Sequence, residues 1–371
     1  MRFLFLLLVV ILMGCEVATN NCCEDIFREL PKSIPSRQYK PDSTSYDISH
    51  LKNIFSLTGF YANFGFQFTI RNDSLYLIYL NAEKDSLVFV NLRKKEQYKL
   101  KPLDEVAKKG SRYCNVILGD TLHLFNTKTF IYTKYIIDPR LELKKAMEVN
   151  LKDVLTDKNI FFASNILLNK RIAYSYPYLF LPFGKYNKRN GMDKKAVFKI
   201  DINSKLVEKV QDFPEKYKKC EVRENYPIVD VIDSKVTVVF QKDDNIFSSD
   251  IISNKVLAKS TQTDFKNNYM CYSVESNEDL AFTSKYDLND EQNINLLYIR
   301  DKYFLIKRLR KENKSDPAKC AILIYDRNLK YLSTFYPTIG VTPRLSFAFK
   351  NGIAIINDAF DRLYYYDFST F

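Results

Sequence analysis

Short apolar segments of the kind that forms β-strands recur along most of this chain, and their recurrence is regular. The six strongest begin near residues 75, 121, 178, 235, 302 and 352, at spacings of 46, 57, 57, 67 and 50 residues. Each follows a tight-turn signal or a short break, such as Gly119-Asp120 or Asn351-Gly352. Another apolar segment precedes each turn, so the pattern predicts that every unit opens with a β-hairpin.

A third and a fourth strand follow the hairpin in most units. Most of the third strands end on Asn or Asp, whose short side chains bond to the backbone and start a turn. These residues are Asn91, Asp138, Asp201, Asp326 and Asp367. A fourth strand is readable in five units, whereas the sixth unit reaches Phe371 before it has one.

One β-like stretch near Asp47–Leu57 belongs to none of the six units. A ring of four-stranded blades must join its ends, because an open sheet edge invites aggregation. The N-terminal stretch is therefore predicted to be the missing outer strand of the last blade. The predicted fold class is all-β, a six-bladed β-propeller closed by N- and C-terminal strands. The alternatives are a seven-bladed ring, with Asn267–Asp290 as a thin extra blade, and a large β-sandwich.

The first residues have a different pattern, which predicts export. Arg2 precedes an apolar run over residues 3–13 that is roughly half as long as a membrane-spanning helix needs. Cys15 directly after Gly14 resembles the bacterial lipobox, in which the thiol receives a diacylglycerol and the chain is cut before it. We expect residues 1–14 to be a lipoprotein signal peptide, residues 15–41 a lipidated flexible tether, and residues 42–371 the propeller domain.

A lipobox, a polar tether and repeated apolar strands ending in Asp occur together in lipoproteins of Bacteroidota that carry a six-bladed propeller domain of unknown function. This chain resembles that family over nearly its whole length. The resemblance implies no established activity and assigns no catalytic residue. We expect a lipid-anchored protein of the cell envelope, in the outer membrane. The lack of a dense acidic tract after Cys15 favours its periplasmic side over the surface.

The composition narrows the chemistry that the domain can perform. The formal net charge is +12, yet a location outside the cytoplasm argues against nucleic acid as a partner. The two histidines, His50 and His123, both fall in predicted strands, which favours structural roles over a zinc site or a His-based triad. A nucleophile elbow and a phosphate loop are absent. We therefore expect no metal and no cofactor.

The remaining cysteines and one acidic run give weaker signals. The six cysteines besides Cys15 are Cys22, Cys23, Cys114, Cys220, Cys271 and Cys320. They form no Cys-x-x-Cys pair, and the sequence leaves open whether they form disulfides, although the last four are expected to be buried free thiols. The acidic run Asp287–Glu291 lacks the glycine of an EF-type calcium loop and is expected to be a solvated loop.

Propeller connectivity predicts that the long segments of this chain share one face. In an up-and-down blade, the loop from the second to the third strand and the link to the next blade lie together, and the other two turns lie opposite. The long segments are Pro102–Arg112, Asn150–Asn169, Pro182–Lys195, Lys266–Asn293 and Leu309–Lys319. Long loops on a rigid scaffold are where binding usually resides.

Two of these loops are rich in cations and supply the candidate ligand-binding residues. They are Lys185, Tyr186, Lys188, Arg189, Arg308, Arg310 and Lys311. A cationic rim with an aromatic edge suits an acidic glycan or an acidic surface of an envelope protein. We expect a monomeric, non-catalytic binding module on a lipid anchor. The alternative is a propeller hydrolase or lyase that acts on acidic polysaccharide.

Overall fold

The computed structural model describes most of the predicted domain. The described residues are 41–49, 67–71, 74–81, 86–100, 113–126, 129–155, 172–182, 186–187, 191–192, 195–212, 227–261, 291–309, 319–337, 341–357, 359 and 361–371. Within them the chain forms 26 β-strands and one four-residue helix, α1 (Lys152–Leu155). The strands make six four-stranded antiparallel sheets and one two-stranded hairpin, which confirms an all-β, six-bladed β-propeller.

The first three blades follow one another along the chain. Blade 1 is β2 (Gln67–Arg71), β3 (Ser74–Asn81), β4 (Ser86–Asn91) and β5 (Glu96–Lys99). Blade 2 is β6 (Tyr113–Leu118), β7 (Thr121–Asn126), β8 (Ile131–Ile137) and β9 (Leu143–Asn150). Blade 3 is β10 (Ala173–Ser175), β11 (Tyr178–Pro182), β14 (Lys195–Asp201) and β15 (Val207–Asp212), with the hairpin β12 (Tyr186–Asn187) and β13 (Gly191–Met192) between its second and third strands.

The other three blades complete the ring. Blade 4 is β16 (Pro227–Ile232), β17 (Lys235–Phe240), β18 (Asn245–Asp250) and β19 (Val256–Thr261). Blade 5 is β20 (Gln292–Ile299), β21 (Lys302–Arg308), β22 (Cys320–Asp326) and β23 (Tyr331–Phe335). Blade 6 is β24 (Val341–Phe349), β25 (Gly352–Asn357) and β26 (Arg362–Asp367), joined by β1 (Asp42–Asp47). The first strands of neighbouring blades contact one another, as β20 does with β16 and β24, so they line the centre of the ring.

An N-terminal strand closes the last blade, as the sequence predicted, but the predicted bounds were wrong. β1 pairs antiparallel with β26, from Asp42 opposite Asp367 to Asp47 opposite Arg362, whereas the sequence pointed to Asp47–Leu57. All six residues of β1 are exposed, because an outer strand is held by backbone hydrogen bonds and needs no apolar face. Residues 50–66 lie outside the described residues, as does Asn267–Asp290, the thin extra blade of the seven-bladed alternative.

Apolar packing between neighbouring blades holds the ring together. Each of six apolar clusters joins two adjacent blades, and one of them packs Leu77 and Val88 of blade 1 against Phe347 and Ile356 of blade 6. The ring is thus closed by buried apolar surface as well as by the β1–β26 pairing. Cys320 is a buried free thiol in the cluster between blades 5 and 6.

The third strands end in side-chain-capped turns. In blade 1, Oδ1 of Asn91 accepts hydrogen bonds from the backbone N–H groups of Arg93 and Lys94, at 3.0 and 2.9 Å. The other four predicted residues make the same kind of contact with their own turns. Blade 4 has an equivalent that the sequence missed, because β18 ends at Asp250 rather than running on through Ile252.

The connectivity gives the propeller two unlike faces. The turns between first and second strands and between third and fourth strands form the short-turn face. The loops between second and third strands and the links between blades form the long-loop face. Most of each predicted long segment lies outside the described residues. Among the residues that the structure describes, no helix is long and apolar enough to span a membrane.

Candidate functional site

Buried charged side chains are concentrated at one place on the long-loop face. Among the described residues, six charged side chains are buried, and five of them lie where blades 4 and 5 meet. We call these five the buried charged cluster: Lys242, Asp243, Glu291, Lys307 and Arg308. The sixth, Lys199, lies toward the short-turn end of blade 3, where it pairs with Glu208. Charged side chains are rarely this buried, so their concentration marks the junction as a candidate site.

The β17–β18 turn, which carries Lys242 and Asp243, is fixed to the start of β20. The backbone N–H of Asn293 donates to the carbonyl of Gln241 at 2.7 Å. The Asn293 side-chain amide donates to the carbonyls of Phe240 and Asp243, at 2.9 and 2.8 Å. One buried amide therefore satisfies the backbone of the turn and docks blade 4 on blade 5.

Asp243 also shapes its own turn. Its Oδ1 accepts hydrogen bonds from the backbone N–H and the side-chain amide of Asn245, at 2.9 and 2.7 Å. These contacts start β18 immediately after the turn.

Lys307 and Arg308 end β21 opposite the polar start of β20. The pairing places Lys307 across from Asn293 and Arg308 across from Gln292. With its amide oxygen turned toward Arg308, Gln292 accepts hydrogen bonds from both terminal guanidinium nitrogens, at 3.1 and 2.6 Å. The guanidinium group is thus held in a fixed orientation by the amide oxygen of Gln292.

Burial changes the acidity of Lys307. Loss of hydration lowers its pKa to about 8, and the negative charges of Glu291 and Asp244 oppose this shift. A lysine with such a pKa is charged in part and neutral in part close to physiological pH. It can therefore offer a cation to an anionic group or accept a proton.

Of the seven ligand-binding residues predicted from the sequence, Arg308 belongs to the buried charged cluster. Tyr186 lies in β12, opposite Met192 of β13. Lys185, Lys188, Arg189, Arg310 and Lys311 lie outside the described residues, as does Cys15. The binding role of all seven stays a prediction.

Sequence reasoning missed four members of the cluster. Lys242 and Asp243 read as an ordinary polar loop between two strands, and Lys307 reads as the first of two cations that end an apolar strand. Glu291 was expected in a solvated loop, but it is buried. It directly precedes β20, whose first residues are buried as well. The sequence feature that could have indicated the cluster is the Lys-Arg pair directly after the apolar residues Phe304-Leu305-Ile306.

His123 packs between blades 2 and 3. A 2.8 Å hydrogen bond joins its Nδ1 to the hydroxyl of Tyr132, and its ring centre lies 3.9 Å from that of Tyr174. Burial, with a smaller effect from Lys134, lowers the pKa of His123 to about 4. In the described parts of the chain, no three or more His, Cys, Asp or Glu side chains are grouped so as to hold a metal ion. His50 lies outside those parts.

Comparison with known proteins supports the fold and leaves the activity open. No protein-family model matches the chain, and no curated protein matches it. A member of the DUF4221 family from Bacteroides vulgatus has a similar solved structure, with 10% identity and a TM-score of 0.60, covering 89% of this chain and 96% of that one. At this identity the likeness shows the fold alone. The resemblance to Bacteroidota lipoproteins therefore agrees with this fold, while lipidation and family membership stay predictions.

Two other solved structures are similar at lower scores. One is a protein of unknown function from Bacteroides thetaiotaomicron, with 9% identity and a TM-score of 0.41, covering 89% of this chain and 76% of that one. The other is a luciferin-regenerating enzyme, with 9% identity and a TM-score of 0.45, covering 88% of this chain and 95% of that one. Neither likeness supports a statement about function.

Proposed function

We propose that this protein is a membrane-anchored lipoprotein of the cell envelope whose propeller binds an acidic ligand, without catalysis, at the long-loop face where blades 4 and 5 meet. The observation that carries the proposal is that, of the six charged side chains buried in the described part of the chain, five lie at that junction. Burying charge costs free energy, which a purely structural ring would avoid by using apolar residues there. A site that binds a charged ligand, in contrast, needs charged side chains.

The arrangement of Arg308 supports an acidic ligand. Gln292 holds both terminal nitrogens of the guanidinium group, so the side chain loses little conformational freedom when an anion approaches. Charge-assisted hydrogen bonds from such a group to a carboxylate or sulfate are short and directional. The sequence has further cations at residues 185–189 and 310–311, between the second and third strands of blades 3 and 5.

Binding can be tested with a pair of matched variants. We expect the purified full chain to retain a partner from envelope extracts or to bind acidic members of a glycan array. Arg308→Gln should weaken that binding by about tenfold or more, since one charge-assisted contact is lost. Arg327→Gln, the same substitution at an exposed turn of blade 5 on the opposite face, should leave it unchanged. Equal binding by both variants, or no retained partner, would contradict the proposal.

The two arms of this experiment separate the ligand classes. A glycan partner should bind on the array and survive protease treatment of the extract. A protein partner should be lost after that treatment.

Lys307 favours a second candidate function, the cleavage of acidic polysaccharide. A buried lysine with a pKa of about 8 is suited to removing a proton beside a carboxylate, the first step of an elimination that breaks the neighbouring glycosidic bond. The full chain would then release unsaturated sugars that absorb ultraviolet light, and Lys307→Met would release none. Binding of intact polysaccharide without such products would favour the binding module.

The lipid anchor has its own test. Cys15→Ala removes the thiol that would carry the diacylglycerol, so we expect the protein to be absent from lipid-labelled fractions and to lose its processed form. Metabolic labelling with a tagged fatty acid, followed by gel electrophoresis, measures both changes. Labelling of the Cys15→Ala protein at the wild-type level would contradict lipidation at Cys15, and a wild type without label would contradict the lipoprotein assignment. Either result leaves the ligand site untouched.

A further inference from the structure

The exposed apolar side chains of the propeller are gathered on its short-turn face. Eight large apolar side chains are exposed among the described residues, and seven of them lie at the short-turn ends of blades 2, 3 and 4. We call the five on blades 3 and 4 the turn patch: Tyr176, Leu206, Ile252, Val256 and Leu257. Leu118 and Ile136 on blade 2 extend it. Scattered apolar residues need no explanation, but a gathered set of this kind marks an interaction surface.

Hydrogen bonds join the turns that carry the turn patch, both within blade 3 and between blades 3 and 4. Within blade 3, the Asn203 side-chain amide donates to the Tyr176 hydroxyl at 3.3 Å, which ties the two turns of that blade together. Between blades, Nζ of Lys199 donates to the backbone carbonyl of Ile252 at 3.2 Å. The neighbouring turns are therefore held beside each other. Tyr176 is 66% exposed, Leu206 58% and Ile252 71%.

Exposed cations accompany the apolar side chains. Lys205 directly precedes Leu206, and Lys255 directly precedes Val256; both lysines are exposed. The carboxylates of the same two turns are partly buried and bind the backbone of their own turns. Asp201 accepts hydrogen bonds from the backbone of Asn203 and Ser204, and Asp250 does the same for its own turn. The exposed charged side chains of these two turns are thus both lysines, and together with the exposed apolar side chains they make a combination that binds a bilayer with anionic headgroups.

The direction of the chain also points this face toward a membrane. β1 begins at Asp42, opposite Asp367 at the short-turn end of blade 6. The segment before β1, which carries the predicted lipidation site Cys15, therefore joins the domain at its short-turn face. The turn patch is therefore on the same face of the domain as the attachment point of the predicted tether.

We propose that the turn patch docks on the surface of a lipid bilayer that contains anionic phospholipid. Leu206, Ile252 and Tyr176 enter the boundary between headgroups and acyl chains, and Lys205 and Lys255 contact the phosphates. Docking in this orientation turns the long-loop face, with the buried charged cluster, away from the bilayer. The inference goes beyond the ligand site and does not depend on it.

The absence of tryptophan from the chain allows a direct test. Ile252→Trp introduces a single tryptophan in the turn patch, and Tyr46→Trp introduces one at an exposed position near the long-loop end of β1. Each full-length variant is reconstituted into vesicles of phosphatidylcholine alone or with about 30% phosphatidylglycerol. The Ile252→Trp emission should shift to the blue and be quenched by brominated acyl chains in the anionic vesicles. The Tyr46→Trp emission should do neither.

Charge reversal tests the role of the lysines. Adding Lys205→Glu and Lys255→Glu to Ile252→Trp should lower the ratio of docked to undocked protein by at least roughly 25-fold, since each cation near an anionic surface contributes about fivefold. Identical emission of Ile252→Trp in neutral and anionic vesicles would overturn the proposal. A blue shift that grows with the protein-to-lipid ratio, or that persists in detergent without vesicles, would show instead that a second copy covers the patch. Glycan binding by Arg308→Gln is measured independently of vesicle docking. A negative result with the vesicles would therefore not contradict the ligand site.

Discussion

Lys307 is fully buried at the end of β21, and its acidity should be visible in the stability of the whole protein. Its pKa is lowered to about 8 in the folded chain, whereas an unfolded lysine titrates near 10.4. Between these values the unfolded chain binds more protons, so stability rises with pH in this window. We expect wild type to gain about 2 kcal/mol relative to Lys307→Met from pH 8 to pH 10.

Urea unfolding of both proteins at several pH values measures this gain. Lys302→Met, a substitution in the same strand, corrects for the general loss of one lysine. Parallel stability curves for wild type and Lys307→Met would show that the ammonium group is better hydrated than its burial indicates.

At the scale of single residues, the sequence predicts contacts between residues close together in the chain better than it predicts which distant residues lie together in the fold. The turn-forming role of Asn91 and Asp326 could be predicted, because a short polar side chain bonds to backbone only a few residues away. The position of Lys242 and Lys307 at one junction could not, because the two are 65 positions apart and lie on different blades.

At the scale of elements, the capped turns should each contribute to stability. Asn91 is buried, and its Oδ1 satisfies two backbone N–H groups between β4 and β5. Asn91→Ala leaves both donors without this acceptor, so we expect the free energy of unfolding to fall by about 1–2 kcal/mol. Asn91→Asp keeps the acceptor oxygen and should cost less. Chemical denaturation of the two variants measures the difference, and equal losses would assign the cost to the amide NH2 group, which both variants lack, rather than to the acceptor oxygen.

Strands with an apolar face could be predicted well, and the polar strand could not. β17 and β21 bury nearly every residue, so their positions follow from hydrophobicity alone. β1 consists of Asp42-Ser43-Thr44-Ser45-Tyr46-Asp47, which has no apolar face to detect. Counting the strands needed for closure predicted that such an element exists, but only the pairing with β26 fixes its position.

At the scale of the whole molecule, one short segment completes the ring. Besides pairing with β26, the N-terminal segment inserts Ile48 into the apolar cluster between blades 6 and 1. That cluster joins the first and last blades, so its loss leaves both the outer edge of blade 6 and one side of the ring open. Deletion of this segment should therefore lower the stability of the whole ring.

Two deletions of the N-terminal region test this closure. Removal of residues 42–48 should lower the free energy of unfolding by more than about 3 kcal/mol, since the loss of the buried Ile48 side chain adds to the loss of the β1–β26 hydrogen bonds. Removal of residues 16–40, which are predicted to be a tether, should leave the melting temperature nearly unchanged. Circular dichroism melts compare the two with the full chain.

Because β1 exposes all its side chains, a large effect of the first deletion and none of the second must come from edge pairing and from Ile48. Equal melting of the two proteins would mean that the ring is held by the other inter-blade clusters without its closing strand.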